Sequence, residues 1–313
     1  MKQDIFDIKG INPMLIAEQV DPYDDPDSLF EFKIDGIRTI LYVDSNSCDI
    51  RNKRDVKMIS KFPELKEIYQ NCKCKCILDG ELNVLINGKP NFNSVQKRTI
   101  MSDPFKIQLS ASRHPANLTI YDIIYYKNHL VTDLPLVKRK LLIEEIINDN
   151  QYIKKSPYID TYGEALFEIA KQETLEGVVG KKKNSLYWPG KKTRDWKKIK
   201  VMNDREYIII GYIPPKASNQ MTTLILALYN SNDMLEITGH VQLGVSLFRL
   251  KSHGMEPSKC PIKPIPLGYS QAIWVKPMVC TIEYMVTGED SLRQATFKGI
   301  RDDKLPEECR IEE

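Results

Sequence analysis

Phe30-Glu31-Phe32-Lys33-Ile34-Asp35-Gly36-Ile37-Arg38 is the stretch on which the reading of this chain turns. It places a single lysine beside a glycine, with charged residues on both sides, directly behind a strand-like run over Leu29–Lys33. Lys33 is therefore a candidate covalent nucleophile. A lysine attacks phosphorus or carbon only as the neutral amine, so such a lysine needs its pKa drawn below about 10.4 by desolvation or nearby positive charge. Arg38 and the many downstream lysines could supply that charge. Taken alone, Lys33 to Arg38 also reads as a surface turn. The rest of the sequence has to decide between the two.

At 313 residues the chain exceeds the usual size of a single core, so two domains are expected. Hydrophobic residues at 42% and charged residues at 28% are values of a soluble globular protein. No run of some 18 apolar residues and no signal-peptide pattern is visible, and the expectation is a cytoplasmic protein, at the nucleoid if prokaryotic, with no membrane partner. Seven cysteines are an odd number, which argues for free thiols in a reducing compartment. Cys72-Lys73-Cys74-Lys75-Cys76 matches no zinc spacing and is read as the lead-in to a strand. The net charge of +3 is unevenly spread: residues 201–313 hold 12 Lys and Arg against 14 Asp and Glu, while Lys181 to Lys200 holds nine against one. Such a block is either a solvated face or a groove that tracks phosphates.

Short runs rich in Ile, Val and Tyr predict strands at Leu29–Lys33, Thr39–Val43, Ile77–Val84, Ala116–Ile124, Gly177–Lys181, Trp196–Lys200, Tyr207–Tyr212 and Thr223–Tyr229. Helical spacing appears over Leu136–Ile147, through Val137, Leu141, Ile143 or Glu144, and Ile147. It recurs over Gly163–Thr174, through Ala165, Leu166, Ile169 and Ala170. The order predicts an α+β domain over residues 1–201, an antiparallel sheet core with flanking helices. Val201-Met202-Asn203-Asp204 reads as a polar join, and residues 202–313 as a small all-β barrel of the five-stranded OB-fold type. His114, His129, His240 and His253 show no spacing that suggests a metal or a triad.

Further blocks follow in order: Arg51-Asn52, Asp79-Gly80-Glu81, Tyr121-Asp122, Glu176-Gly177-Val178-Val179, Trp196-x-Lys198-x-Lys200 and Arg301-Asp302-Asp303-Lys304. Together with Glu31-x-Lys33-x-Asp35-Gly36-x-Arg38, they resemble the ordered motifs of the covalent nucleotidyltransferases: ATP-dependent DNA ligases, RNA ligases and mRNA capping enzymes. Asp25 to Glu31, Tyr187-x-Pro189-Gly190-Lys191-Lys192 and Phe297 to Lys304 narrow the resemblance to the ligase module of bacterial and archaeal end-joining DNA ligases, from about Asn12 to Cys309.

The resemblance implies an adenylation domain followed by the OB-fold. Lys33 would attack the α-phosphate of ATP to give a lysyl-AMP, the AMP would pass to the 5′ phosphate of nicked or broken double-stranded DNA, and the neighbouring 3′ hydroxyl would displace it. Charge builds at phosphorus in every step, so catalysis rests on positioning and electrostatics. Glu81 and Glu176, expected at strand ends beside a cleft, would contact ribose and hold Mg2+ or Mn2+. Lys198 and Lys200, on one strand face with Trp196, would contact the α-phosphate and the DNA end. Arg38 and Arg51 would hold phosphate or ribose. Lys192 stands where the family commonly has arginine, and lysine lacks the bidentate fork. Tyr121 would stack on adenine, although core packing explains it as well. Glu31 would accept from the exocyclic amine and favour ATP over GTP. Arg301 and Lys304 would reach the β and γ phosphates when the barrel closes about a hinge at Asn203-Asp204. A monomer is expected, with a Ku-type end-binding protein as a possible partner. The rival readings are an mRNA-capping-type guanylyltransferase, an RNA ligase, and a non-enzymatic strand-binding module.

Overall fold

The structure, a computed structural model, describes residues 4–215, 217, 221–285 and 292–311. Two compact units divide it, Met1–Val201 and Met202–Glu313. The first begins with a one-turn helix, α1 (Ile5–Ile8), and the strands β1 (Leu15–Gln19), β2 (Asp25–Phe32), β3 (Ile37–Val43) and β4 (Cys48–Asn52). After three short 3-10 turns come β5 (Cys76–Ile86), β6 (Lys89–Pro90), α2 (Phe92–Ile100), α3 (Pro104–Arg113), β7 (Ala116–Tyr126), β8 (His129–Leu130) and α4 (Leu136–Ile146). The unit closes with β9 (Ile153–Lys155), β10 (Tyr158–Thr161), α5 (Gly163–Gln172), β11 (Gly177–Lys182) and β12 (Lys192–Lys200).

These strands form two sheets. One runs β1-β12-β11-β2-β10 and the other β4-β3-β5-β7-β8, with β6 joining β5 and β9 joining β7. All the pairs are antiparallel except β1 with β12 and β7 with β9. The sequence of β2 shows why the first sheet is internal. Leu29 packs with Ile40, Ile77 and Ile124 of the second sheet, while its neighbour Phe30 packs with Leu166 and Ala170 of α5. Because both faces are covered, apolar residues occupy both parities of the strand. The second sheet likewise buries Leu41, Leu78 and Leu118 against Phe62, Leu65 and the α4 residues Ile143 and Ile146.

Two helical faces differ from those read in the sequence. On α4, Leu141 is exposed, whereas Arg139 and Lys140 are buried beside Leu136, Ile143 and Ile146. Buried carboxylates draw these cations inward: Arg139 meets Asp122 at 2.7 Å and Lys140 meets Glu31 at 2.6 Å. On α5, Ile169 and Ala165 face solvent, and Gly163, Leu166 and Ala170 form the buried side. Gly163 is there because a Cβ would meet the Phe30 ring and the Tyr23 carbonyl oxygen at 2.3 Å. Glu81 also departs from expectation, since β5 runs on to Ile86 and places it within the strand rather than at its end. β12 starts at Lys192, earlier than expected, because its first residues pair with Leu15 and Ile16 of β1.

The second unit is one five-stranded antiparallel sheet in the order β15-β14-β13-β16-β17, built from β13 (Met202–Ile213), β14 (Thr223–Tyr229), β15 (Leu235–Gln242), β16 (Ile273–Met285) and β17 (Arg293–Ile300), with α6 (Leu247–Ser252) between β15 and β16. Bulges interrupt β13 between Ile209 and Gly211, and strong local curvature of this kind is what closes a small sheet. The mixed α+β first unit and the five-stranded second unit agree with the nucleotidyltransferase and OB-fold expectation. The polar join does not form a loop. Asn203 and Asp204 lie inside β13, paired with Tyr284 and Glu283, and only Val201 separates β12 from β13. Among the described residues, no helix is long and apolar enough to cross a membrane.

Arg139 is fully buried, with Nε and Nη2 on the Asp122 carboxylate at 2.7 and 2.9 Å and Nη1 on the Ser185 carbonyl at 2.8 Å. Arg139→Met would leave Asp122 charged and unpaired, and a loss of about 3–5 kcal/mol is expected in denaturant unfolding of the first unit. Asp122→Asn in the same background should recover part of it.

Candidate active site

A cavity of about 470 Å³ lies between the two sheets of the first unit. β2 delivers Glu31 and Lys33 to one wall, β3 and β5 deliver Arg38 and Glu81 to the other, and Tyr121 and Trp196 close it from β7 and β12. Lys33 follows the last residue of β2, and its backbone N–H donates to the Gly177 carbonyl at 2.8 Å, which extends the β2–β11 pairing by one residue. Its Nζ sits 2.7 Å from Glu176 Oε2. Two glycines permit this approach. A Cβ on Gly36 would stand 2.4 Å from the Leu82 carbonyl oxygen, and at Gly177, with φ of 141°, a Cβ would stand 2.0 Å from the Ile199 carbonyl oxygen.

Glu81 lies across β5 from Arg38 and shares its surroundings with Lys33, Arg38, Glu176 and Asp79. Burial pushes its carboxyl up to about 8, the two cations opposing the shift and the two acids adding to it. Arg38 is fixed rather than mobile: its Nε and Nη2 grip Asp79 at 3.0 and 2.5 Å, and Asp79 also accepts the Tyr187 hydroxyl at 2.6 Å. The Arg38 guanidinium lies 5.6 Å from the Tyr121 ring centre, and Tyr121 meets Trp196 edge to face at 6.3 Å.

At the Glu31 end the cavity holds a three-charge group. Glu31 Oε1 contacts Lys140 Nζ at 2.6 Å and Lys181 Nζ at 3.0 Å, and these cations keep the buried carboxylate ionised against a large desolvation cost. Lys181 packs on the rings of Trp196 and Tyr121, at 4.2 and 4.6 Å from their centres. Burial pulls its ammonium down to about 8, Glu31 opposing and Lys140 reinforcing the shift.

The residues singled out in the sequence are thus unequally placed. Lys33, Glu31, Arg38, Glu81 and Tyr121 line the cavity, and Glu176 touches it through Lys33. Lys198 and Lys200 share strand parity with Trp196 and stand opposite Val179 and Gly177, next to this wall without lining it. Arg51 is not brought in. Asp49 and Asp55 hold its guanidinium at 2.8 and 2.9 Å, and the following Asn52, Lys53 and Arg54 line the cavity instead. Lys192 is exposed at the first position of β12. Arg301 and Lys304 belong to the second unit, where Glu206 takes both, at 2.8 and 3.4 Å, and Asp303 takes Arg301. Lys181, Lys140 and Asp79 were not foreseen. For Lys181 a signal existed, since it shares the parity of Val179 in a strand with apolar residues on both faces, but Lys140 looks like any charged helix residue. Among the described residues, no group of three or more His, Cys, Asp or Glu could hold a metal ion, and all seven cysteines are free.

Two sheets enclosing a charged, aromatic-walled cavity agree with the fold of a nucleotidyltransferase-type ligase. Comparison with known proteins agrees: residues 13–200 match the ATP dependent DNA ligase domain, and residues 217–304 match the ATP dependent DNA ligase C terminal region. The chain belongs to the ATP-dependent DNA ligase family. It is 26% identical over 296 residues to the SPbeta prophage-derived DNA ligase-like protein LigB of Bacillus subtilis, covering 93% of this chain and 99% of that protein. It is also 26% identical over 291 residues to the multifunctional non-homologous end joining protein LigD of Pseudomonas aeruginosa, covering 88% of this chain but only 34% of the longer relative. The ligase domain of M. tuberculosis LigD has the same fold, with a TM-score of 0.56 at 22% identity over 96% of this chain and 98% of that one.

Because Glu176 raises the Glu81 carboxyl while Lys33 lowers it, Glu176→Gln should move the Glu81 titration below its midpoint near 8. Carbon-detected NMR of labelled glutamate reads this directly. An unmoved or rising midpoint would mean that Glu176 does not raise the Glu81 carboxyl.

Proposed function

We propose that this cavity binds ATP, that Lys33 forms the covalent AMP adduct, and that the chain then seals nicked or broken duplex DNA between a 3′ hydroxyl and a 5′ phosphate. The observation that carries the reading is the pairing of Lys33 with Glu176 at 2.7 Å in the same cavity whose other end presents Glu31 beside Lys181. An acceptor next to a donor complements the adenine edge, which offers an amine donor and a ring-nitrogen acceptor. Guanine offers the reverse order, so GTP leaves both protein groups unpaired, a costly mismatch in a buried site. Tyr121 and Trp196 supply the aromatic wall. The cavity volume suits a ligand of this size.

In the first step the Lys33 amine sheds its proton, attacks the α phosphorus, and the bond to the pyrophosphate oxygen breaks. Loss of that proton dissolves the ion pair with Glu176. A cation such as Mg2+ or Mn2+, which uses one or two carboxylates together with substrate phosphates, would displace the proton that burial keeps on Glu81 and be held by Glu81 and Glu176. Such a cation would neutralise phosphate charge as it accumulates. Arg38, already immobilised by Asp79, costs little further ordering when it meets phosphate or ribose. Lys198 and Lys200, along the neighbouring strand, would meet the α phosphate and later the DNA end. Arg301 and Lys304 would serve the β and γ phosphates, which requires them to leave Glu206. Arg51, held by Asp49 and Asp55, and Lys192, exposed on β12, lie off the cavity and are left out of this reading. A role in repair follows the naming of the LigD relatives, and a Ku-type end-binding protein is a partner of matching chemistry.

The test is incubation of wild type and Lys33→Ala with α-labelled ATP or GTP and a nicked duplex. Wild type should take label from ATP only, as an adduct that chases into sealed product. Label retained by the alanine variant, or an adduct with GTP, sinks the assignment. Arg301→Ala is expected to lose self-adenylylation by about 100-fold while still sealing DNA that already carries AMP, an effect of the size of a lost charged contact to a reacting phosphate.

A further inference from the structure

Lys140 lies on α4 behind the cavity wall, and its ammonium is buried on the same Glu31 oxygen that Lys181 uses. Two cations on one carboxylate oxygen exceed what neutralising it requires, and burying the second is costly without a further role. Every group around the cluster is accounted for. Lys140 faces Glu31, Lys181 and, at 5.4 Å, the Tyr158 ring, while Ser156 donates to Glu31 from the residue after β9. Lys181 faces Glu31, the Tyr121 and Trp196 rings, and Asp122, which is itself taken by Arg139. With Lys140 absent, Lys181 alone would have to neutralise Glu31 and would settle more deeply onto it.

We propose that Lys140 is a positioning residue for base recognition: by sharing Oε1 of Glu31 it keeps the Lys181 ammonium directed to the cavity, and so sets the preference for an adenine nucleotide. This rests on the reading of the cavity as an ATP site. It adds that the donor half of the base-reading pair is controlled from outside the cavity, by a residue that never touches the nucleotide.

The experiment follows AMP adduct formation on the full chain by intact mass, with ATP and GTP, from mildly acidic to alkaline pH. In the wild type the KM for ATP should rise as pH passes through about 8, where Lys181 loses its proton. Glu81 titrates in the same range from the opposite sheet, but Lys140 does not adjoin it. Lys140→Met should raise the KM about tenfold at neutral pH with the maximal rate within about twofold, as expected when ground-state and transition-state binding are lost together. It should also narrow the ATP to GTP ratio and shift the alkaline midpoint upward, because Lys181 no longer has a cation beside it. Lys140→Arg should restore all three. If Lys140→Met does not fold, Lys140→Gln, which keeps a donor without the charge, gives the same readings. A folded, uncharged variant with unchanged midpoint and nucleotide ratio overturns the proposal while leaving the ATP site standing. No adduct in the wild type overturns both.

Discussion

Ionised groups held between two sheets must each find a counter-charge inside, because water is not there to supply one. This constraint orders the first unit. Asp79 and Asp122 stand opposite each other on β5 and β7, an arrangement of like charges that costs stability unless each is compensated. Arg38 from β3 answers the first and Arg139 from α4 the second. Glu31 on the facing sheet is answered by Lys140 and Lys181. Each pair joins elements distant in sequence, so a slip of one residue in any strand would strand a charge as well as misplace apolar side chains.

The active-site chemistry draws on the same economy. Lys33 and Glu176 satisfy one another, and Arg38 is held by Asp79, whose carboxylate is itself fixed by the Tyr187 hydroxyl. The residues fixed most firmly are those buried in the cavity wall, Glu31, Arg38 and Lys181. Those assigned to the pyrophosphate, Arg301 and Lys304, pair instead with half-exposed Glu206, an attachment that water and phosphate can readily exchange.

Strands were legible because their cores are built from Ile, Val, Leu and Tyr at either single or double parity, and all eight expected strands exist with ends moved by a few residues. The cavity wall was legible where chemistry and strand position coincide, as at Lys33 and Tyr121, and at Glu81 the chemistry was legible although its place in the strand was not. What escaped was set by tertiary contact. Periodicity on α4 assigns a polar residue to solvent, and nothing local to Lys140 announces Glu31 as its partner. Arg51 failed in the opposite way: its neighbours Asp49 and Asp55 were visible in the sequence, yet only the geometry of the β4 hairpin shows that they engage it. The polar look of Asn203-Asp204 misled because the exposed first residues of a strand can be as hydrophilic as a loop.

Val201 carries a consequence of its own. It is the single residue between β12 and β13, and its N–H is bonded to the carbonyl of Glu176 at 3.0 Å, while the carbonyl of the adjoining Gly177 holds the backbone of Lys33. Val201 is thus the whole covalent link between these two strands, with no loop beside it. The peptide units beside this link are thus the ones that seat Lys33 and Glu176. The link from strand to strand and the seat of the lysine are cut from one short piece of backbone.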